Sequence, residues 1–400
     1  MPRRILISGA SVAGNALAAL LTAPDDVVTV VERAPAFRDG GQNVDVRGAA
    51  RTVLQRMGLE QSVADHGTGE AGLRFVHADD STVAEFAVAD MGGEGFTAEL
   101  EILRGDLARL LYERAQTHAT YRFGDAITAL TDGPDGVQVQ FANNEQECFD
   151  LVVVAEGVGS DTRELVFPGE NKPRWIDVTM GYCTIPAGHG DGEMARWFTA
   201  GEGRSVLLRP DPYGTTRAVL TVQGPARDDN RRDPEAQKAW LHERFADAGW
   251  ETPRVLEGLA QTTDFYFDVL RQVKMPRWSS GRVVLCGDAA WCATPLAGAG
   301  TSLALIGAYV LAGELATDQE LGAALAAYAR VMQPFVEEGQ DVPAFGARLA
   351  QPQTRWGVQI QSAVLGIAAT PPLRPLLAKV FTPDADERAL PDYRVLEPVG

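Results

Sequence analysis

Residues 4–32 constrain this chain more than any other stretch. Ile5-Leu6-Ile7-Ser8 is a short apolar run that leads into Gly9-Ala10-Ser11-Val12-Ala13-Gly14, after which Ala16, Leu17, Ala19 and Leu20 suit the buried face of a helix over 15–22. Pro24-Asp25-Asp26 stops that helix. Val27-Val28-Thr29-Val30-Val31 then gives a β-branched run without alternation, as a parallel strand covered on both faces requires. Strand, helix and parallel strand make a βαβ unit, so the chain must build an α/β core around it. In such a unit the glycines make the tight turn, let the backbone approach a pyrophosphate and let helix pack on strand, while the helix amino end attracts phosphate charge. Ser11 stands where the second glycine is usual; it is small and can donate a hydrogen bond to phosphate. Glu32 ends the second strand about twenty residues on, where a ribose hydroxyl would be held. The context predicts dinucleotide binding; the alternative is a plain βα turn with a solvated Glu32.

The rest of the chain alternates between two patterns. Leu107, Leu110 and Leu111 keep helical spacing in a helix over Arg104–Ala115, which follows a turn at 101–104 and has Asp106 as a candidate cap. Gly136–Phe141 alternates strictly, as a half-exposed antiparallel strand does, whereas Leu151-Val152-Val153-Val154-Ala155 is wholly apolar and predicts a central strand. Between 171 and 274 the runs have mixed polarity, such as Ala218-Val219-Leu220-Thr221-Val222, with one helix near 234–247. Arg282-Val283-Val284-Leu285-Cys286 returns to the buried pattern, followed by Gly287-Asp288 and a helix over 302–316. Prolines 352, 371, 372 and 375 limit the tail to short helices. The expected architecture is an α/β, Rossmann-like nucleotide-binding domain made of 1–70, 101–170 and 275–345. An antiparallel-sheet substrate domain of 71–100 and 171–274 is inserted in it, and 346–400 forms a C-terminal helical segment.

Composition removes other classes of function. With 36 Lys and Arg against 54 Asp and Glu the net charge is −18, a field that repels polyanions, so nucleic acid is not an expected partner. Cys148, Cys183, Cys286 and Cys292 form no C-x-x-C pair and the five histidines are scattered, so neither a metal site nor a disulfide framework is signalled. The basic start Pro2-Arg3-Arg4 runs straight into the first strand, and the longest apolar stretches are broken by Glu314 and by Pro371-Pro372. A cytoplasmic protein without membrane spans is expected.

Two further segments carry a family resemblance. The segment Asp150-Leu151-Val152-Val153-Val154-Ala155-Glu156-Gly157, continuing to Asp161-Thr162-Arg163, resembles the Asp-Gly segment of FAD-dependent aromatic hydroxylases. The segment Leu285-Cys286-Gly287-Asp288-Ala289-Ala290, continuing through Pro295, Gly298, Gly300 and Thr301, resembles their Gly-Asp motif. With Gly9 to Gly14, Glu32-Arg33 and Leu103-Arg104-Gly105-Asp106, these occur in family order over about residues 3–340. The group includes para-hydroxybenzoate hydroxylase and tetracycline-inactivating monooxygenases. The resemblance implies FAD, with Gly9, Ser11, Val12, Ala13 and Gly14 at the pyrophosphate and Glu32 on the adenosine ribose. It places Arg33 near the adenine or the flavin loop, Arg104 at the ribityl and pyrophosphate region, and Asp288 on the ribitol hydroxyls. Helix capping is the alternative for Asp288. Pro295, Gly298, Ala299, Gly300 and Thr301 would seat the flavin ring, where backbone N–H groups and a helix amino end stabilise developing negative charge. Glu156 replaces the usual aspartate, and Trp291 stands where many members have histidine.

The implied reaction is reduction by transiently bound NADPH or NADH, O2 addition giving a C4a-hydroperoxyflavin, and transfer of one oxygen to an aromatic or polyketide-like small molecule. The flavin carries the chemistry, so no catalytic side chain is assigned. Tyr182, Trp197, Phe198, Phe265 and Phe267 are candidate pocket residues, with period-two alternation placing Phe265 and Phe267 opposite Tyr266. Core packing is the readier reading of each, since aromatic residues dominate cores. Arg204 is a candidate for an anionic or phenolic substrate against the reading of a solvated turn. Other reactions on the same flavin are Baeyer-Villiger insertion and dehydrogenation, and a ligand-sequestering flavoprotein is the non-enzyme alternative.

Overall fold

The computed structural model describes residues 2–91, 100–225, 233–294, 297–317, 319–341, 351–370 and 388–393. Its central sheet runs in the order Ser279–Ser280, Val283–Leu285, Leu151–Val154, Arg3–Ser8, Asp26–Glu32 and Thr120–Phe123. Every pairing is parallel except that of Ser279–Ser280 with Val283–Leu285. The unalternating apolar runs are its middle strands, buried on both faces as their sequence requires.

Helix Val12–Leu20 begins three residues ahead of its expected start, inside the glycine turn, and packs against the helix Gly300–Leu315. That second helix is buried from Leu303 to Gly313, so no face of it meets water. Leu321–Gln340 packs along it. Trp291 lies in this core, its ring centroid 4.6 Å from that of Trp278, and a β-carbon on Gly307 would stand 2.8 Å from its ring.

A second sheet of seven strands has the order Phe265–Gln272, Arg174–Pro186, Thr215–Gln223, Arg204–Pro210, Met194–Gly201, Gly72–Val76 and Thr82–Ala87. It is antiparallel as expected, apart from the parallel pair Met194–Gly201 with Gly72–Val76. One face of it is covered by helices, and here the sequence reading needs correction. Two helices, Pro234–Phe245 and Thr252–Gln261, stand where one was expected. The second presents only Val255, Leu256 and Leu259 to the core over ten residues, too short a repeat to register as a helix. It sits so close to the sheet that a β-carbon on Gly258 would overlap the Ile185 side chain.

Residues 101–104 are not a turn: Glu101–Leu103 is a strand paired with Asn43–Asp45, and the helix Arg104–Ala115 starts directly after it. Asp106 does not cap that helix; its Oδ1 accepts the Tyr213 hydroxyl at 2.8 Å. In the tail, Arg355–Ala368 is a helix of 14 residues, longer than the prolines suggested because the interval 353–370 contains none. Among the described residues no helix is long and apolar enough to cross a membrane.

Candidate functional site

Adjacent parallel strands end at one edge of the central sheet, and the chemistry-bearing turns of the sequence all emerge there: Gly9 after the first strand, Glu32, Glu156 and Gly287-Asp288. Ligands of open α/β sheets bind at this carboxyl edge. Gly9 has φ +111, and a β-carbon on it would stand 2.5 Å from the Ala155 carbonyl oxygen. Only glycine lets these strand ends converge so closely. The first bond of helix Val12–Leu20 runs from Asn15 N to Ser11 O at 2.9 Å, leaving the N–H groups of Val12, Ala13 and Gly14 without a carbonyl of their own helix. Ser11 makes no cap with its side chain; its Oγ accepts Arg104 Nη1 at 3.0 Å. Arg104 Nη2 donates to the Gly40 carbonyl at 3.0 Å. The turn and the guanidinium thus form one surface.

Glu32 is held by backbone: Oε2 accepts Ala10 N at 3.0 Å and Oε1 accepts Ala34 N at 2.9 Å. Arg33 lies on the exposed lip, 3.6 Å from Asp161. Asp288 is close by, because a β-carbon on Gly287 would stand 2.8 Å from Cβ of Ala13, and one on Gly300 would stand 3.9 Å from Oδ1 of Asp288. Burial pushes the Asp288 carboxyl up, opposed by the Arg104 charge and the Cys292 thiol. Gly298 has φ +64 with nothing within 4 Å of a β-carbon, Ala299 is the residue before the helix, and Gly300 and Thr301 lie in its first turn. Pro295 lies outside the described residues.

The residues fit a flavin dinucleotide. Two carboxylates suit ribose and ribitol hydroxyls, free helix N–H groups and a guanidinium suit a pyrophosphate, and the buried Thr294 hydroxyl beside the glycine loop has no protein partner. Thr294 also has φ +95, a strained conformation for a β-branched residue that no sequence pattern announced. Glu156 turns inward instead. It accepts Ser8 Oγ at 2.5 Å, Ser160 Oγ at 2.6 Å, and Thr162 N and Oγ1 at 3.1 and 2.5 Å. Arg163 links the two motifs by donating to Val158 O and Ala289 O, each at 3.1 Å.

The seven-stranded sheet brings only some of the candidate aromatics to this edge. Tyr182 and Tyr266 pair across adjacent strands, ring centroids 5.9 Å apart and tilted by 31°. Tyr266 is 56% exposed, yet burial is the largest influence raising its phenol, and the charges of Arg104 and Asp288 both reach it. An accessible group so surrounded by protein lines an internal crevice. Phe265 and Phe267 face the other way, into the core under the two helices, with Phe267 edge-on to Trp240 at 5.9 Å. Phe198 is on that side as well, 5.5 Å from Trp250. Arg204 is buried there, pairing with Asp247 at 2.6 Å and donating to the Arg244 carbonyl, so it ends a helix and does not reach the crevice. Trp197 shares the Tyr182 face through the registers that run Tyr182, Val219, Leu207, Trp197, but it packs near Leu365 of the C-terminal helix, its buried Nε1 without a protein partner. Tyr266 was missed as a candidate: alternation separates it from Phe265 and Phe267 but does not say which face is roofed by helices.

A parallel sheet with an anion-seeking turn at its carboxyl edge and an antiparallel sheet facing it across a crevice define a dinucleotide-binding protein of two-sheet build. The family model for the FAD binding domain matches residues 3–338, and the chain belongs to that family. It is 34% identical to the FAD-dependent monooxygenase asL4 of Sarocladium schorii, over 98% of this chain and 99% of that protein. It is 35% identical to the monooxygenase CTB7 of Cercospora beticola, over 89% of this chain and 90% of that one. Among solved structures, tetracycline destructase Tet(55) superposes with a TM-score of 0.80 at 31% identity, covering 98% of this chain and 99% of the other. FAD is the cofactor, and the chain is an oxidoreductase of the FAD-dependent monooxygenase group that also contains the aromatic hydroxylases.

Proposed function

We propose that the chain uses NADPH or NADH and O2 to hydroxylate an aromatic or polyketide-like small molecule held between the flavin seat and the Tyr182-Tyr266 face. The observation that carries this reading is the shared surroundings of Asp288 and Tyr266: Tyr266 is exposed and Asp288 half-buried, burial is the largest influence raising each, the Arg104 charge reaches both, and the Asp288 charge reaches Tyr266. Glu32 then accepts the adenosine ribose hydroxyls, with Arg33 at the adenine side. Val12, Ala13 and Gly14 N–H groups, Ser11 and Arg104 meet the pyrophosphate, and Asp288 accepts from the ribitol. Gly298, Ala299, Gly300 and Thr301 leave room for the ring, and the amino end of their helix favours negative charge there. When bound, FAD supplies hydride acceptance from the nicotinamide and oxygen activation. The chain's residues orient the ring substrate on the two tyrosines and exclude water. The relatives asL4 and CTB7, both named monooxygenases, support oxygen transfer.

The test reconstitutes the protein with FAD and follows NADPH and NADH oxidation over a panel of phenols and aromatic polyketides, with mass spectrometry of the products. A product heavier by one oxygen is expected. Turnover that yields only dehydrogenated products would count against the proposal.

A further inference from the structure

We infer that the crevice discriminates against aromatic carboxylates and takes an uncharged or amine-bearing ring substrate. The inference rests on reading the crevice as the substrate site. On the face that carries Tyr182, two arginines point the same way, Arg209 and Arg217, paired with one another across adjacent strands. Either would be a ready anchor for a substrate carboxylate, but each is already paired with acids of this chain. Arg209 donates to Glu70 from Nε at 2.7 Å and from Nη2 at 3.0 Å, and Nη2 also meets Glu101. Arg217 donates from Nε to Asp211 at 2.9 Å and from Nη1 to Asp264 at 2.8 Å. Each guanidinium therefore faces two carboxylates, and three of the four acids have side chains at most 5% exposed.

The position of the second cluster makes this matter for substrate. Arg217 Nη1 also donates to the Gly41 carbonyl at 3.3 Å, and a β-carbon on Gly41 would stand 2.7 Å from Nε of Arg104, so the cluster adjoins the flavin seat. An incoming carboxylate finds each guanidinium already engaged through two of its nitrogens and set against two carboxylates. In an enclosed site the repulsion from those acids is weakly screened. The remainder of the face, Val219, Leu207 and the two tyrosines, offers apolar and aromatic contact, and an ammonium is drawn by both the acids and the rings.

The FAD-loaded protein is titrated with 2-naphthol, 3-(aminomethyl)-2-naphthol, whose amine is protonated at neutral pH, and 3-hydroxy-2-naphthoate while the flavin absorbance band is followed. The acid is expected to bind about tenfold or more weaker than the other two, the scale of one lost charge-assisted hydrogen bond. Asp264→Asn removes one of the two negative charges that face Arg217, so affinity for the acid should rise about tenfold. Asp264 is 41% exposed, which favours folding of the variant. Glu101→Gln tests the Arg209 cluster in parallel, with circular dichroism as the check on fold. The inference is overturned if the acid binds as tightly as the naphthol, or if the folded variants leave its affinity unchanged. A protein that takes up no FAD would instead refute the function reading.

Discussion

A side chain on Gly14 would overlap the carbonyl oxygen of Gly9, so the turn and the first turn of the following helix touch backbone to backbone. Gly14→Val must therefore push the helix away from the strand that precedes it. Overpacking of this kind costs about 1–3 kcal/mol or more. The expected outcome is a lower melting temperature together with a colourless or FAD-poor protein, read from the flavin absorbance of the purified variant.

Gly300 is different, because a β-carbon there meets only Asp288 Oδ1 at 3.9 Å, an ordinary contact. Gly300→Val should keep the melting temperature of the FAD-free protein close to the parent's. Its effect should fall on the bound cofactor: weaker FAD retention, and hydrogen peroxide formed in place of oxygenated product. A variant that kept both oxygenation yield and FAD affinity would remove the flavin from this helix start.

Tyr266 and Phe267 are neighbours with opposite duties. Phe267→Ala empties a helix-covered core position and should cost about 3–5 kcal/mol in denaturant unfolding. Tyr266→Ala should leave unfolding nearly unchanged and raise the KM for the aromatic substrate. Equal stability losses in the two variants would show that Tyr266 is core too.

Burial raises the Glu70 carboxyl to about 7, outweighing the pull of Arg209, with Glu101 and Asp45 adding to the rise. The folded state then takes up a proton that the unfolded state, near 4.5, releases earlier. The contribution of this group is full below pH 4.5 and is lost as the pH climbs through 7. Glu70→Gln should therefore gain stability relative to the parent between those limits, by up to about 3 kcal/mol, and hold that difference above them. Urea unfolding of both proteins at a series of pH values measures it; a difference flat with pH would refute the shift.

Much of the nucleotide half was legible because its constraints are local. Gly9, Gly14 and Glu32 declare themselves by spacing within one βαβ unit, and Asp288 by following a buried strand. Long-range partners were not legible. Nothing near Arg204 in sequence points to Asp247, and nothing near Glu156 points to Ser8, since each pairing depends on how distant elements pack. Tyr266 was half legible: alternation separated it from its neighbours, but the helix Thr252–Gln261, which covers the other face, was itself too short a pattern to recognise. Thr294 gave no signal at all, since a positive φ in a threonine is imposed by its surroundings.

Alternation along Phe265–Gln272 also bears on how such an enzyme changes over generations. Tyr266 and Asp268 turn toward the crevice and Phe265 and Phe267 away from it, so, with the crevice as the proposed substrate site, replacements at the first pair would alter what is held while those at the second alter whether the chain folds. The turns proposed to hold FAD lie on a different sheet altogether. Drift at the crevice-facing positions can thus be sampled one residue at a time, with oxygen activation inherited intact, and a lineage can acquire new substrates without first losing a working enzyme.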